Sequence, residues 1–110
     1  MAKKTVDELN PEIIKLAKNY LAVVEASGIP VEQALIFGSQ AKGTARPDSD
    51  IDLAIISPIF GKDTFEERLR LMRLRQKNYE IEPHPLHPND LNDKWSTFAS
   101  EIRKYGISIK

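Results

Sequence analysis

Cysteine is absent from these 110 residues, which removes disulfide staples, thiolate nucleophiles and cysteine-based metal sites. No apolar run approaches the roughly 20 residues that a membrane-spanning helix needs. Met1-Ala2-Lys3-Lys4 is a basic start without the apolar core of a secretory signal. A cytoplasmic protein is therefore expected. An excess of charge of either sign is also missing, because 16 Lys and Arg balance 16 Asp and Glu. Gripping a nucleic-acid backbone depends on surplus cations, so direct nucleic-acid binding is not expected as the main activity. The sequence shows no internal repeat, low-complexity segment or linker. Its 41% hydrophobic content suits one compact domain spanning 1–110.

What is present concentrates in one stretch. Ala34, Leu35, Ile36 and Phe37 form a short apolar run that reads as a buried strand ending at Gly38. Ser39 is suited to cap a short helical stretch from Gln40 to Lys42, which would turn free backbone N–H groups and a positive helix end outward. Such a turn is an anion site matched to a polyphosphate, and a Cβ-free Gly38 would let a phosphate approach the backbone. Ten residues further on comes a second strand, Asp50-Ile51-Asp52-Leu53-Ala54-Ile55-Ile56. Alternation puts Asp50 and Asp52 on one face, about 7 Å apart along the strand. Two like charges so placed repel unless a cation relieves them. Mg²⁺ binds through one or two carboxylates and completes its shell with water and substrate phosphates, so an acidic pair opposite a phosphate turn is chemically coherent.

A later strand, Tyr79-Glu80-Ile81-Glu82-Pro83-His84-Pro85-Leu86, offers a further carboxylate. Alternation puts Glu80, Glu82 and His84 on one face and does not choose between the acids. Pro83 and Pro85 remove two backbone donors, which places this strand at a sheet edge or ends its pairing early and suggests that His84 and His87 lie in a loop or strand end. A histidine zinc site is not expected, since two histidines without cysteine do not complete a tetrahedral set. A contact of His84 with a bound nucleotide is the better expectation.

The remainder reads as scaffold. Asn10-Pro11 starts a helix carrying Ile13, Ile14, Leu16, Ala17, Leu21 and Val24 up to Gly28. Asp63 caps a second, Thr64 to Gln76, with Phe65, Leu69 and Met72 on its apolar side, Leu74 as a further candidate there, and its arginines mostly exposed. This helix would form the crossover between parallel strands. Pro88-Asn89-Asp90-Leu91 begins a turn or short helix. Trp95 to Tyr105 forms the last helix, with Trp95, Phe98, Ala99 and Ile102 buried and Gly106 as its stop, and Ile107-Ser108-Ile109 could add an edge strand.

The run Phe37 to Ile56, FGSQAKGTARPDSDIDLAII, resembles the signature of the polymerase-beta-type nucleotidyltransferase superfamily, and within it the minimal nucleotidyltransferases. The resemblance implies an α+β nucleotidyltransferase fold, a small mixed β-sheet with helices packed on it. It implies that Gly38 and Ser39 hold the triphosphate of ATP or another NTP, and that Asp50 and Asp52 bind two Mg²⁺ ions. Members of the subgroup carry an Ile-Glu-Pro-His-Pro run whose acid before proline enters the site, which selects Glu82 as third ligand, with Glu80 as the alternative. Asp48 falls where many members have an extra acid. The implied reaction moves an NMP to a hydroxyl. The implied partner is a small helical HEPN-type protein, in some pairs a toxin silenced by AMP on a tyrosine. A homo-oligomer is also compatible. The competing reading is a non-catalytic, antitoxin-like protein that binds nucleotide or partner only.

Overall fold

The computed structural model describes residues 5–110, so the basic Met1–Lys4 start lies outside the described residues. A 3-10 turn, Val6–Glu8, leads into α1, Pro11–Ala26, where the Asn10 side chain accepts from Glu12 N–H at 2.9 Å and Pro11 occupies the first turn. Then follow β1 (Gln33–Phe37), α2 (Ser39–Lys42), β2 (Ile51–Ile56), α3 (Thr64–Arg73) and β3 (Ile81–Leu86). The chain ends with α4 (Pro88–Leu91), α5 (Thr97–Tyr105) and the two-residue β4 (Ile107–Ser108). No helix among the described residues is long and apolar enough to cross a membrane.

The four strands form one mixed sheet in the order β3-β2-β1-β4. β1 is antiparallel to β2 and β4, whereas β2 and β3 are parallel, joined by α3 as the expected crossover. β3 is an outer strand, as its prolines require. Ile51 N–H donates to Glu80 O and Ser57 N–H to Leu86 O, so the even residues of β3 turn their backbone groups toward β2. The donors missing at Pro83 and Pro85 therefore fall on the open edge, where no ladder bond is lost.

Each face of the sheet buries its own apolar set. Ala34 and Ile36 of β1, Ile51, Leu53 and Ile55 of β2, and Ile81 of β3 pack with Ala17, Tyr20, Leu21 and Val24 of α1 and Leu71 of α3. The buried Tyr20 hydroxyl donates to Leu71 O at 2.6 Å and so ties α1 to α3. The opposite face carries Leu35, Phe37, Ala54 and Ile56 against Ile102 and Phe98 of α5. Asp52 belongs to this second face by alternation, at the end that the apolar residues leave open.

Two helices differ from expectation. α3 stops at Arg73 and buries Leu71, while Phe65 stands 71% exposed. Its inward face sets Leu71 on the core with Leu74 packed partly against it, which leaves Leu69 and Met72 half-buried at the margin and Phe65 exposed. Arg75 is also drawn inward, donating to Met72 O and Ile81 O at 3.1 Å each. α5 starts later than expected because Ser96 accepts from Ala99 N–H and caps it there. Trp95 therefore precedes the helix and is 85% exposed.

Candidate active site

Asp52 is the meeting point of three elements. It pairs across the sheet with Phe37 at the end of β1 and with Glu82 in β3. Ala54 pairs with His84, so period two carries His84 onto the same face as Asp52 and Glu82. One ligating atom from each of Asp52, Glu82 and His84 lies within 4.8 Å of the other two. The parallel register of β2 and β3 creates this group, since neither strand holds it alone.

His84 is a strand residue, contrary to the expected loop or strand end. Its ring meets Phe37 at 5.2 Å and Phe98 at 5.4 Å between centroids, and Phe37 meets Phe98 edge-on at 5.4 Å. These contacts from β1 and α5 fix the ring plane and leave Nε2 at 3.4 Å from Asp52 Oδ1. His87 lies elsewhere, capping α4 by accepting from Asn89 N–H at 3.0 Å through Nδ1. The parity of β3 signals His84; nothing in the sequence signals that Phe98, from a later helix, completes its frame.

The glycine turn abuts the same carboxylate. Gly38, with φ +71°, is itself the N-cap of α2, which begins at Ser39 with no side-chain cap bond. The expected capping role of Ser39 is thus taken by the glycine backbone. A Cβ at position 38 would collide with Asp52 Oδ2. The missing side chain therefore makes room for the carboxylate and brings Asp52 directly beneath the turn. Lys42, at the other end of α2, pairs with Glu101 of α5 at 2.5 Å, and its ammonium stands 4.9 Å from the Tyr105 ring centre. The hydrogen bond to Glu101 raises the Lys42 pKa, and both groups hold α2 against α5.

The remaining candidates occupy distinct places. Asp50 is exposed in the residue before β2 and lies outside the group of three. Asp48 is exposed in the turn that Ser49 N–H closes onto Arg46 O at 2.9 Å. Glu80 lines a different hollow, with Asn10, Gln40, Arg46 and Ser49, on the α1 side. Glu82 is the glutamate that stands beside Asp52.

Two carboxylates and an imidazole from adjacent strands, beside a glycine turn that opens a short helix, form a group that could hold a metal ion on a mixed sheet. The family model for the nucleotidyltransferase domain matches residues 6–105, and the chain belongs to that family. A solved protein of Sulfolobus solfataricus, provisionally assigned as a nucleotidyltransferase, is 27% identical over 74% of this chain and 72% of its own, with a TM-score of 0.63. A toxin-antitoxin structure with AMP-PNP shares the fold at a TM-score of 0.59 and 19% identity, over 84% of this chain and 72% of its own. No curated protein matches the chain. The general activity is nucleotidyl transfer, which in this family uses a nucleoside triphosphate and divalent metal.

Proposed function

We propose that residues 1–110 act as one minimal nucleotidyltransferase domain that moves AMP from ATP onto a hydroxyl of a protein partner. The observation that supports this most is the convergence of Asp52, which lies beneath Gly38, with Glu82 from the neighbouring strand. Asp50, Asp52 and Glu82 are the residues we assign to two Mg²⁺ ions; their hard oxygen donors suit that ion. When bound, the ions would favour the ionised form of the attacking hydroxyl and offset charge on the leaving pyrophosphate. Gly38 and Ser39 receive the triphosphate through backbone N–H groups and the Ser39 hydroxyl. The acceptor oxygen bonds to the α-phosphorus as the bond to the β-phosphate oxygen breaks, and Glu82 takes the hydroxyl proton on a carboxylate oxygen. Glu82 is preferred to Glu80 because the latter lines the hollow on the α1 side.

The acceptor we assign is a tyrosine of a helical HEPN-type protein, with this chain acting as antitoxin in the cytoplasm. The likeness to a toxin-antitoxin structure containing AMP-PNP supports a partner and an adenine nucleotide. The test is transfer of label from α-labelled ATP to a co-expressed helical partner with Mg²⁺, alongside calorimetry of Mg·ATP binding. The parent should label the partner, and Asp50→Asn with Asp52→Asn should lose both labelling and tight Mg·ATP binding. A double variant that binds Mg·ATP like the parent would remove these residues from the metal site. A partner inhibited without acquiring label, in parent and variant alike, would establish the non-catalytic antitoxin instead.

A further inference from the structure

The outward face of α3 carries an apolar stripe that the fold leaves uncovered. Leu71 is the buried residue of this helix, whereas Phe65, Leu69 and Met72 recur at the spacing of one helical side and Arg68 joins them. These four side chains line a hollow of about 260 Å³. Phe65 stands 71% exposed at its rim, and with Arg68 it also borders a groove of about 440 Å³ that reaches His84 and Pro85 of β3. An exposed ring beside a leucine and a thioether on one helix face is hydrocarbon suited to cover by a second surface.

The charges beside the stripe identify that surface. The first turn of α3 is acidic, with Glu66 and Glu67, and the last turn is basic, with Arg70 and Arg73. Two of the four are engaged within the chain: Glu67 accepts from the N–H groups of Gly61, Lys62 and Asp63, and Arg70 donates to Ser27 O at 3.1 Å. Glu66 and Arg73 make no side-chain hydrogen bond or ion pair among the described residues. They stand two turns apart and therefore on the same flank of the stripe. A second α3 laid antiparallel on the first sets Phe65 against Met72, Arg68 against Leu69 and Glu66 against Arg73, each contact occurring twice. A parallel arrangement would set Glu66 on Glu66 and Arg73 on Arg73. Complementarity to itself under a twofold rotation is the requirement of an isologous dimer, and antiparallel helices also oppose dipole ends of opposite sign.

We propose that α3 is the contact surface of a homodimer, in which the α3 helices of two copies pack antiparallel through Phe65, Leu69 and Met72 and pair Glu66 with Arg73. The assignment is independent of the transferase reading. The ten residues of α3 span about 15 Å, so the contact is small and the dimer exchanges with monomer at about 0.1 mM. Because Phe65 and Arg68 also border the groove at His84, the second copy stands beside the acidic group and narrows one approach to it.

Sedimentation equilibrium of the full chain, at concentrations bracketing that value, tests the contact. Glu66→Arg and Arg73→Glu should each weaken self-association at least about tenfold, since both charge pairs turn repulsive. An equimolar mixture of the two variants should recover the dimer, because each variant then meets the opposite charge on the other; damage to the fold of either variant cannot produce that recovery. Phe65→Ala should also weaken the dimer, and dilution of the parent should shift the amides of Phe65, Leu69 and Met72. A parent that stays monomeric, a dimer indifferent to all three substitutions, or a mixture no more associated than its components overturns the proposal. A monomeric parent that loses a co-expressed helical protein on Phe65→Ala overturns it as well and assigns the stripe to that protein.

Discussion

Replacing Gly38 with Ala attacks the site at the point where backbone and carboxylate compete for space. Gly38 has φ +71° and ψ −147°, a region essentially confined to glycine, where a side chain costs about 1–3 kcal/mol. A chain of this size loses about 4 °C in Tm per kcal/mol, so backbone strain alone lowers Tm by about 4–12 °C. The new methyl group also collides with Asp52 Oδ2, which has to move from beneath the turn. These two effects separate in a double-mutant cycle with Asp52→Ala, which removes the carboxylate and leaves the strain. Gly38→Ala should therefore cost more in the parent than in the Asp52→Ala background, by about 1 kcal/mol or more. Urea denaturation of the four proteins measures the difference, and Mg·ATP calorimetry should show weaker binding by Gly38→Ala. Equal costs in both backgrounds, with unchanged nucleotide affinity, would show that Asp52 does not occupy the space under the glycine.

Two further outcomes test the strand register and the core. Glu82→Gln should abolish label transfer with little change in Tm, whereas Glu80→Gln should be tolerated; the reverse would move the third carboxylate two residues along β3. Tyr20→Phe should cost about 1 kcal/mol in urea denaturation, because Leu71 O loses its buried donor. Burial raises the Tyr20 pKa above its ordinary value near 10, outweighing the opposing influence of Arg75. The unfolded tyrosine therefore ionises first, and this contribution to stability, full below pH 10, is lost as pH rises above it. Tyr20→Phe should flatten that alkaline decline; identical pH profiles for the two proteins would refute the assignment.

The shared face of Asp52 and the β3 residues and the outer position of the proline strand were legible because both follow from local chemistry, whereas Asp50 lies outside the group that Asp52 joins. Period two put Glu80, Glu82 and His84 on one face without choosing between the acids, and the N–H lost at each proline called for an edge or an early end to pairing; the β2–β3 register sets Glu82 opposite Asp52. α3 misled because Phe65, Leu69 and Met72 form an apolar stripe as regular as the one through Leu71. Tertiary packing distinguishes the two, with the Leu71 side chain on the sheet and α1 and its carbonyl held by the distant Tyr20 hydroxyl. Trp95 misled for a related reason: its size suggests burial, yet Asp93 accepts its N–H at 2.9 Å and Ser96 starts the helix after it. The frame of His84 was invisible because Phe37, His84 and Phe98 come together only through tertiary packing.

The core and the site depend on each other through the strand register. Asp52 and Glu82 face one another because β2 and β3 are paired in parallel register, with Ile51 opposite Ile81 directly before them. Both isoleucines are buried on the opposite face of the sheet. A slip of one residue would send Glu82 into that core and bring Ile81 to the site, a double cost in buried charge and exposed hydrocarbon. The apolar residues that stabilise the fold therefore also hold the carboxylates in register. α3 and the turn that follows it enforce the arrangement from outside, through Leu71 on the core and Arg75 on the carbonyl of Ile81. The exposed side of the same helix carries Phe65 and Arg68 to the groove beside His84. One crossover helix thus holds the acidic residues in register with its inner face and places Phe65 and Arg68 at the margin of the groove beside them with its outer face.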